Sequence, residues 1–306
     1  MNIIVTGGDG QLAKCIKSVC GDISSDNSYF FLSKEDFNLT DKKQMKVVFE
    51  KIKPEIVINC AAYTNVEGAE DNPTIASDIN FTGVRNMVRL CKKYGSYLIH
   101  ISTDYVFDGK KNKPYKEIMP TKEPLNVYGS SKLKGDQSVL SYKKGIVLRT
   151  SWLYSEYGHN FYKTMLERID KGMETNVIHD QIGTPTYAKD LANFIVKNLI
   201  SDEKYKETRG LYNFSNNGMA SWYDFASMIE NLYSIFKPYI PEIEGKRLKH
   251  YILPTTTKEY KTKAKRPSYS VLDKTKIESE FEIKIPHWAY SLLECMKNDG
   301  NIKKGW

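Results

Sequence analysis

The chain has no long apolar run. Nowhere in its 306 residues is there anything near the ~20 apolar positions that a membrane-spanning helix needs. Nor does it open like a secretory signal: Met1-Asn2-Ile3-Ile4-Val5-Thr6-Gly7 lacks a basic leader, and its apolar stretch is short. Cysteine is scarce. Cys15, Cys20, Cys60, Cys91 and Cys295 are scattered, odd in number and never spaced Cys-x-x-Cys. That excludes a disulfide framework and a structural zinc site, and a reduced, cytoplasmic setting is expected. Repeats and low-complexity tracts are absent too. Apolar material is sufficient, at 41% hydrophobic and 12% aromatic residues, so a real core forms and wholesale disorder is excluded. The length suits one large domain or two modest ones. Basic residues outnumber acidic ones 45 to 37, a surplus of +8. A Lys-rich solvated surface accounts for such a surplus, and so does an anionic ligand. No nucleic-acid recognition module accompanies it, so neither nucleic acid nor membrane is an expected partner.

Short apolar runs alternate with amphipathic stretches through the first half. Strands are expected at 2–6, 29–32, 56–59, 97–102 and 146–149, each with little apolar/polar alternation. Strands covered on both faces of a parallel sheet read this way. Helices are expected at 11–20, 41–52 (capped by Thr40), 74–94 and 127–140. The repeating βαβ pattern implies an α/β fold built on a doubly wound parallel sheet of Rossmann type, with ligands at the carboxyl ends of the strands. Beyond about residue 150 the regularity fades. Helices at 160–171, 188–199, 221–236, 273–280 and 287–297 and a strand at 211–214 suggest a smaller mixed α/β substrate lobe. The expected division is 1–150 for the doubly wound domain, with parts of about 175–215 threaded back into it. About 151–174 and 216–306 form the substrate lobe.

The first strand runs straight into Gly7-Gly8-Asp9-Gly10-Gln11-Leu12-Ala13. Gly7 allows a tight turn, Gly10 lets the backbone approach a pyrophosphate, and helix N-terminal amides add positive potential. A dinucleotide is the expected ligand, held by Gly7, Gly10, Gln11 and Leu12. After the second strand come Ser33-Lys34-Glu35-Asp36, with Asn38 and Leu39 beyond. A hydroxyl and a cation suit a 2′-phosphate, which favours NADPH and leaves NADH as the alternative. Further on, Tyr128 and Lys132 stand four apart on a helix and share a face. A lysine beside a tyrosine hydroxyl favours the phenolate and makes a better proton shuttle near neutral pH. With 21 tyrosines and many lysines the spacing also arises by chance. Tyr233/Lys237 is such a case, and it reads as surface. What singles out Tyr128/Lys132 is position after the fourth strand, whose end carries Thr103 at the ligand-binding edge.

The glycine motif, Ser102-Thr103-Asp104-Tyr105-Val106-Phe107-Asp108-Gly109 and Tyr128-x-x-x-Lys132 together resemble the extended short-chain dehydrogenases/reductases. More narrowly, the chain resembles the dTDP-4-dehydrorhamnose reductase family. Asn59-Cys60-Ala61-Ala62-Tyr63-Thr64, Arg149-Thr150-Ser151-Trp152-Leu153-Tyr154, Asp180-Gln181-Ile182-Gly183-Thr184-Pro185-Thr186 and Arg266-Pro267-Ser268-Tyr269-Ser270 carry that likeness. It implies reduction of the C4 keto group of a nucleotide-linked 4-keto-6-deoxyhexose with NAD(P)H. Within it, Tyr128 donates the proton, Lys132 tunes Tyr128 and holds the nicotinamide ribose, and Thr103 hydrogen-bonds the carbonyl. The resemblance puts Asp104 and Trp152 on the sugar, and Ala61, Ala62 and Tyr63 along the cofactor. Asn80 would be a helix-positioned support or a plain helix-surface residue.

Two other readings share the fold. A 4,6-dehydratase needs Asp-Glu directly after the threonine, whereas Thr103 is followed by Asp104 and Tyr105. A 4-epimerase keeps Thr/Ser, Tyr and Lys and is the closer alternative, as is a non-catalytic NAD(P)-binding regulatory subunit. Some reductases of this type bind Mg²⁺ between subunits through a carboxylate on the first helix. Here that helix reads Lys14-Cys15-Ile16-Lys17, so no such metal is expected, while a homodimer stays open. Finally, the run 246–266 holds Lys246, Arg247, Lys249, Lys258, Lys261, Lys263, Lys265 and Arg266 against Glu259 alone. It accounts for the charge surplus to within one charge, and Arg266 is its expected contact with a substrate diphosphate.

Overall fold

The computed structural model describes residues 1–23, 26–119, 121, 124–236 and 251–302. Its first half is β1 (Asn2–Thr6), α1 (Gln11–Gly21), β2 (Ser28–Leu32), α2 (Lys42–Ile52), β3 (Ile56–Asn59), α3 (Val66–Asp71), α4 (Pro73–Ser77), α5 (Val84–Tyr94), β4 (Tyr97–Thr103), α6 (Val127–Leu140) and β5 (Gly145–Thr150). Then follow β6 (Leu153–Tyr154), α7 (Phe161–Asp170), β7 (Thr175–Ile178), β8 (Ile182–Gly183), β9 (Thr186–Tyr187), α8 (Ala188–Asn193) and β10 (Gly210–Asn213). The chain finishes with β11 (Ala220–Ser221), α9 (Trp222–Phe236), β12 (Ile252–Thr255), α10 (Thr275–Glu280) and α11 (Trp288–Asn298). Six strands form one parallel sheet in the order β10-β5-β4-β3-β1-β2. The order reverses beside β1, so a crevice opens at the carboxyl ends of β1 and β3.

Why the sheet forms is plain from its residues. Ile3, Ile4, Val5, Ile56, Val57, Ile58, Leu98, Ile99, Ile146, Val147 and Leu148 are all buried, on both faces. On one face Ile3, Val5, Ile58, Ile99 and Leu148 pack with Leu12, Ile16, Leu191 and Ile195; on the other, Ile4, Val57 and Val147 meet Phe49, Met87 and Cys91. Cys15 belongs to the first of these layers and is fully buried.

The part of 175–215 that returns to the first sheet is its later half. Residues 188–200 pack on α1, and β10 pairs with β5, whereas β7 pairs with β12 in the other lobe. That lobe has its own core of Tyr162, Phe225, Ile229, Tyr251, Trp288 and Leu292. Several expectations need correction. The helix expected over 74–94 begins at Pro73 and is interrupted by a wider π-helical turn at Asp78–Gly83; α3, ahead of it, was not anticipated. The cap of α2 is Asp41, whose side chain accepts from the amides of Lys43 and Gln44, while Thr40 bonds Asn38 instead. Tyr233 is not surface: it is 6% exposed and its hydroxyl donates to Asp170. Lys237, Lys246, Arg247 and Lys249 lie outside the described residues. Among the described residues no helix is long and apolar enough to cross a membrane.

Candidate active site

At the end of β1, Gly7 adopts φ +66°, and a Cβ there would stand 3.0 Å from the backbone of Ala61. Only glycine fits that approach. Gly10 N-caps α1, no side chain caps this end, and no acid occupies the first turn. The amides of an 11-residue helix therefore face the crevice without a competing carboxylate, which is the donor set a pyrophosphate requires. Gln11 sits at this turn, but its side chain reaches away. Its Nε2 donates to the Leu153 carbonyl (3.0 Å), and its Oε1 accepts from Asn160 (3.1 Å) and Ser155 (3.3 Å). Leu12 is buried in the core.

Along the same edge, Ser33 is not free to meet a phosphate with its hydroxyl as it stands. Its Oγ donates to Asp36 (2.8 Å), closing a small turn, and Lys34 is the exposed cation beside it. Asn38 accepts from the Thr40 amide and hydroxyl, and the Leu39 side chain lies in the core, 4% exposed. Any role of Leu39 in binding a cofactor is therefore a backbone one. After β3, Ala61 donates its amide to Thr6 (3.3 Å), and Ala62 follows on the same segment. Both backbone groups of Tyr63 are taken by Asn80: the Tyr63 amide donates to Oδ1 (2.9 Å) and its carbonyl accepts from Nδ2 (3.0 Å). The same Nδ2 donates to Ser131 on α6 (3.0 Å). Asn80 is 1% exposed, so its role is support and not helix surface. The π-helical turn is what carries it.

Thr103, Asp104, Tyr128 and Lys132 converge at the end of β4. Thr103 donates its hydroxyl to Asp104 (3.0 Å) and accepts from the Tyr105 amide (3.2 Å), so it also caps the turn that follows the strand. Asp104 is 2% exposed, and its Oδ2 has no partner among the described residues. Burial pushes its carboxyl up to about 6, with the Ser270 and Thr103 hydroxyls acting the other way. Tyr128 reaches this place because α6 lies hard against Tyr105. The two rings meet edge-on at 5.8 Å, and a Cβ on Gly129 would come within 2.1 Å of the Tyr105 carbonyl. Burial pushes the Tyr128 phenol well up, with the Thr103 hydroxyl acting the other way. Lys132 is not among the groups acting on the Tyr128 phenol, and Tyr128 holds its proton. Lys132 is 2% exposed; its Nζ donates to the Ile101 carbonyl (2.7 Å), and burial pulls it down to about 8.

On the other lobe's side, Trp152 has φ +46° and lies flat on Trp222, ring centroids 3.6 Å apart and planes within 8°. Gly183 touches the indole so closely that a Cβ would come within 2.5 Å of it. Trp222 escaped the sequence reading, since an aromatic at a helix start has no signature of its own. Arg266 pairs with Glu67 of α3 (2.7 Å), and the Lys263 and Ala264 amides donate to that carboxylate as well. Lys263 itself pairs with Asp71. Sequence reasoning also missed Asn59, His100, Asp136 and Arg149, which form a buried polar group under the site.

A model of the family described as "RmlD substrate binding domain" matches residues 1–300. The dTDP-4-dehydrorhamnose reductase of Sinorhizobium fredii is 37% identical over 295 residues, covering 95% of this chain and 95% of that protein. The spore coat polysaccharide biosynthesis protein SpsK of Bacillus subtilis is 36% identical over 297 residues, covering 96% of each. Among solved structures, the dTDP-4-dehydrorhamnose reductase of Bacillus anthracis in complex with NADP superposes with a TM-score of 0.84 at 34% identity. That alignment covers 97% of this chain and 98% of the other.

Proposed function

The chain belongs to the RmlD substrate-binding-domain family, and from that premise we propose that it is an NADPH-dependent reductase of a nucleotide-linked 4-keto-6-deoxyhexose. Such a product feeds deoxysugar and surface-polysaccharide synthesis, in keeping with the SpsK relative. The observation that carries the reading is the meeting of Tyr128, Thr103 and Lys132 beside a turn built for a dinucleotide. When bound, the nicotinamide supplies a hydride equivalent to the carbonyl carbon. The chain's own residues do the rest. Tyr128, kept protonated by burial, gives its proton to the oxygen as alkoxide character develops there. Thr103 turns its hydroxyl from Asp104 to the same oxygen, a second donor where charge appears. Lys132 holds the nicotinamide ribose and stabilises the phenolate that Tyr128 leaves behind.

Gly7, Gly10 and Ala62 line the cofactor through their backbones, beside Ala61 and Tyr63, whose own backbone groups are held by Thr6 and Asn80. Lys34 is the cation suited to a 2′-phosphate, and the relative in complex with NADP supports that preference. Asp104 and Trp152 take the sugar. Arg266 takes the diphosphate, which replaces Glu67 as its counter-ion. Residues 1–150 with 188–213 form the cofactor side, and α10 with the segment to Ile285, expected in the substrate lobe, packs on that same core; the rest forms the substrate side. A cytoplasmic location fits five cysteines that are all free thiols.

NADPH oxidation with dTDP-4-keto-6-deoxyhexoses tests the reading. Tyr128→Phe is expected to lower kcat by about 10²-fold or more, the usual contribution of a positioned general acid. Arg266→Ala is expected to raise the sugar-nucleotide KM and leave the NADPH KM in place. Equal turnover by Tyr128→Phe and wild type removes the proposed proton donor.

A further inference from the structure

A run of buried polar side chains lies under the active site, and the reaction proposed above does not use it directly. It starts at the dinucleotide turn, where the Ala61 amide donates to Thr6 Oγ1 (3.3 Å) and Thr6 donates to Asn59 Oδ1 (2.7 Å). With its carbonyl engaged, Asn59 points Nδ2 at His100 Nδ1, 2.9 Å away. A ring nitrogen that accepts bears no proton, so His100 carries its proton on Nε2. Burial holds the ring neutral, with the nearby Lys132 charge acting in the same direction. His100 Nε2 faces Asp136 Oδ1 at 3.9 Å, and neither atom has a hydrogen-bond partner among the described residues. The other Asp136 oxygen accepts from Arg149 Nε (3.1 Å). None of these side chains is more than 2% exposed.

We infer that Asp136, one helical turn beyond Lys132 on α6, is the positioning residue that keeps the buried Lys132 ammonium charged where the Ile101 carbonyl holds it. Its carboxylate is fixed by Arg149 on one side and faced by the His100 N–H on the other. An ammonium taken out of water with one neutral acceptor, the Ile101 carbonyl, would shed its proton. Two groups oppose that loss, Asp136 first and Cys60 after β3 second. Burial pushes the Cys60 thiol up to about 12, so it carries no charge at working pH. From β4 the facing groups are the neutral His100 and the Ile101 carbonyl; from β5, Arg149 acts on Asp136. Asp136 is therefore the one anion that serves Lys132 among the described residues. Burial pushes Asp136 itself up, and Arg149 is the largest influence holding it down. The hydrogen-bonded run from Ala61 ends at His100, whose Nε2 faces this carboxylate across 3.9 Å.

The inference rests on the reductase reading, in which Lys132 holds the nicotinamide ribose, and NADPH binding tests it apart from turnover. NADPH affinity is measured by tryptophan fluorescence quenching across neutral and alkaline pH for wild type and Asp136→Asn. Near pH 6 the two are expected to agree within about twofold; near pH 8 the variant binds about fivefold more weakly, the effect of Lys132 losing its proton one pH unit earlier. The basic limb of kcat/KM should move down in parallel. A variant with the wild-type pH dependence, or one weakened equally at both pH values, overturns the inference. Asp136→Asn strands the Arg149 charge, so Asp136→Asn combined with Arg149→Met removes both charges and relieves the fold. Arg149 is not among the groups acting on Lys132, so the same alkaline weakening is expected, and its absence overturns the inference too. Wild type that binds NADPH as described yet reduces no keto sugar would instead overturn the reductase reading.

Discussion

Asp104 bears a cost that a carboxylate in water would not. Its folded-state pKa is raised from 3.8 to about 6, so between those values the folded protein holds a proton that the unfolded chain has released. Stability therefore falls as pH rises through that window, and above it the whole penalty is present. Two pKa units correspond to about 3 kcal/mol, an upper figure before the protein relaxes. Asp104→Asn is expected to raise Tm by several degrees near pH 7.5 and by clearly less near pH 4, while turnover drops. Calorimetric scans at the two pH values check this, and equal shifts at both would refute it. Thr103, Asp104, Tyr128 and Lys132 were legible in the sequence because motif and strand end place them together. Asn59, His100 and Arg149 were not. Each sits in an apolar strand where a polar residue reads as an exception, and Asp136, which faces His100 and Arg149, is on a helix.

At the scale of elements, α6 does the most for the site, and Gly129 decides how closely it docks. Replacing Gly129 by Ala adds helix propensity of about 1 kcal/mol. Against that stands a Cβ 2.1 Å from the Tyr105 carbonyl, which backbone cannot yield without moving the helix. The steric effect wins. Gly129→Ala is expected to lower kcat by about 10²-fold, the usual result of shifting a catalytic group by ~1 Å. Steady-state kinetics on a variant with native circular dichroism checks it, and a variant that gains Tm while keeping full kcat would contradict it. The strands of the main sheet were readable because burial on both faces leaves unbroken apolar runs. The break in the helix expected over 74–94 was not, because a π-helical turn keeps the periodicity nearly intact while rotating one residue, Asn80, inward. In the substrate lobe, paired strands of two residues are too short for any period to show.

Across the whole molecule, the charge surplus has a structure that its sum concealed. Two members of the basic run on the described residues are met by acids of α3: Glu67 takes Arg266, and Asp71 takes Lys263. Glu70 of the same helix accepts from the Val127 amide at the start of α6 (2.8 Å). One six-residue helix thus ties the basic segment to the catalytic helix, and sequence proximity gave no hint of it. Composition could suggest an anionic ligand; it could not say that carboxylates already stand beside Arg266 and Lys263.

Gln11 joins two places that ligands reach separately. It opens the helix whose amides we propose for the cofactor, and it grips Leu153, Ser155 and Asn160 in the segment after Trp152, which we propose for the sugar. A ligand that orders either end does part of the work for the other. Thermodynamic linkage then requires the help to be mutual: NADP⁺ tightens the nucleotide sugar by the same factor as the sugar tightens NADP⁺. Titration calorimetry of each ligand with and without the other should show that heterotropic cooperativity in wild type and lose it in Gln11→Ala.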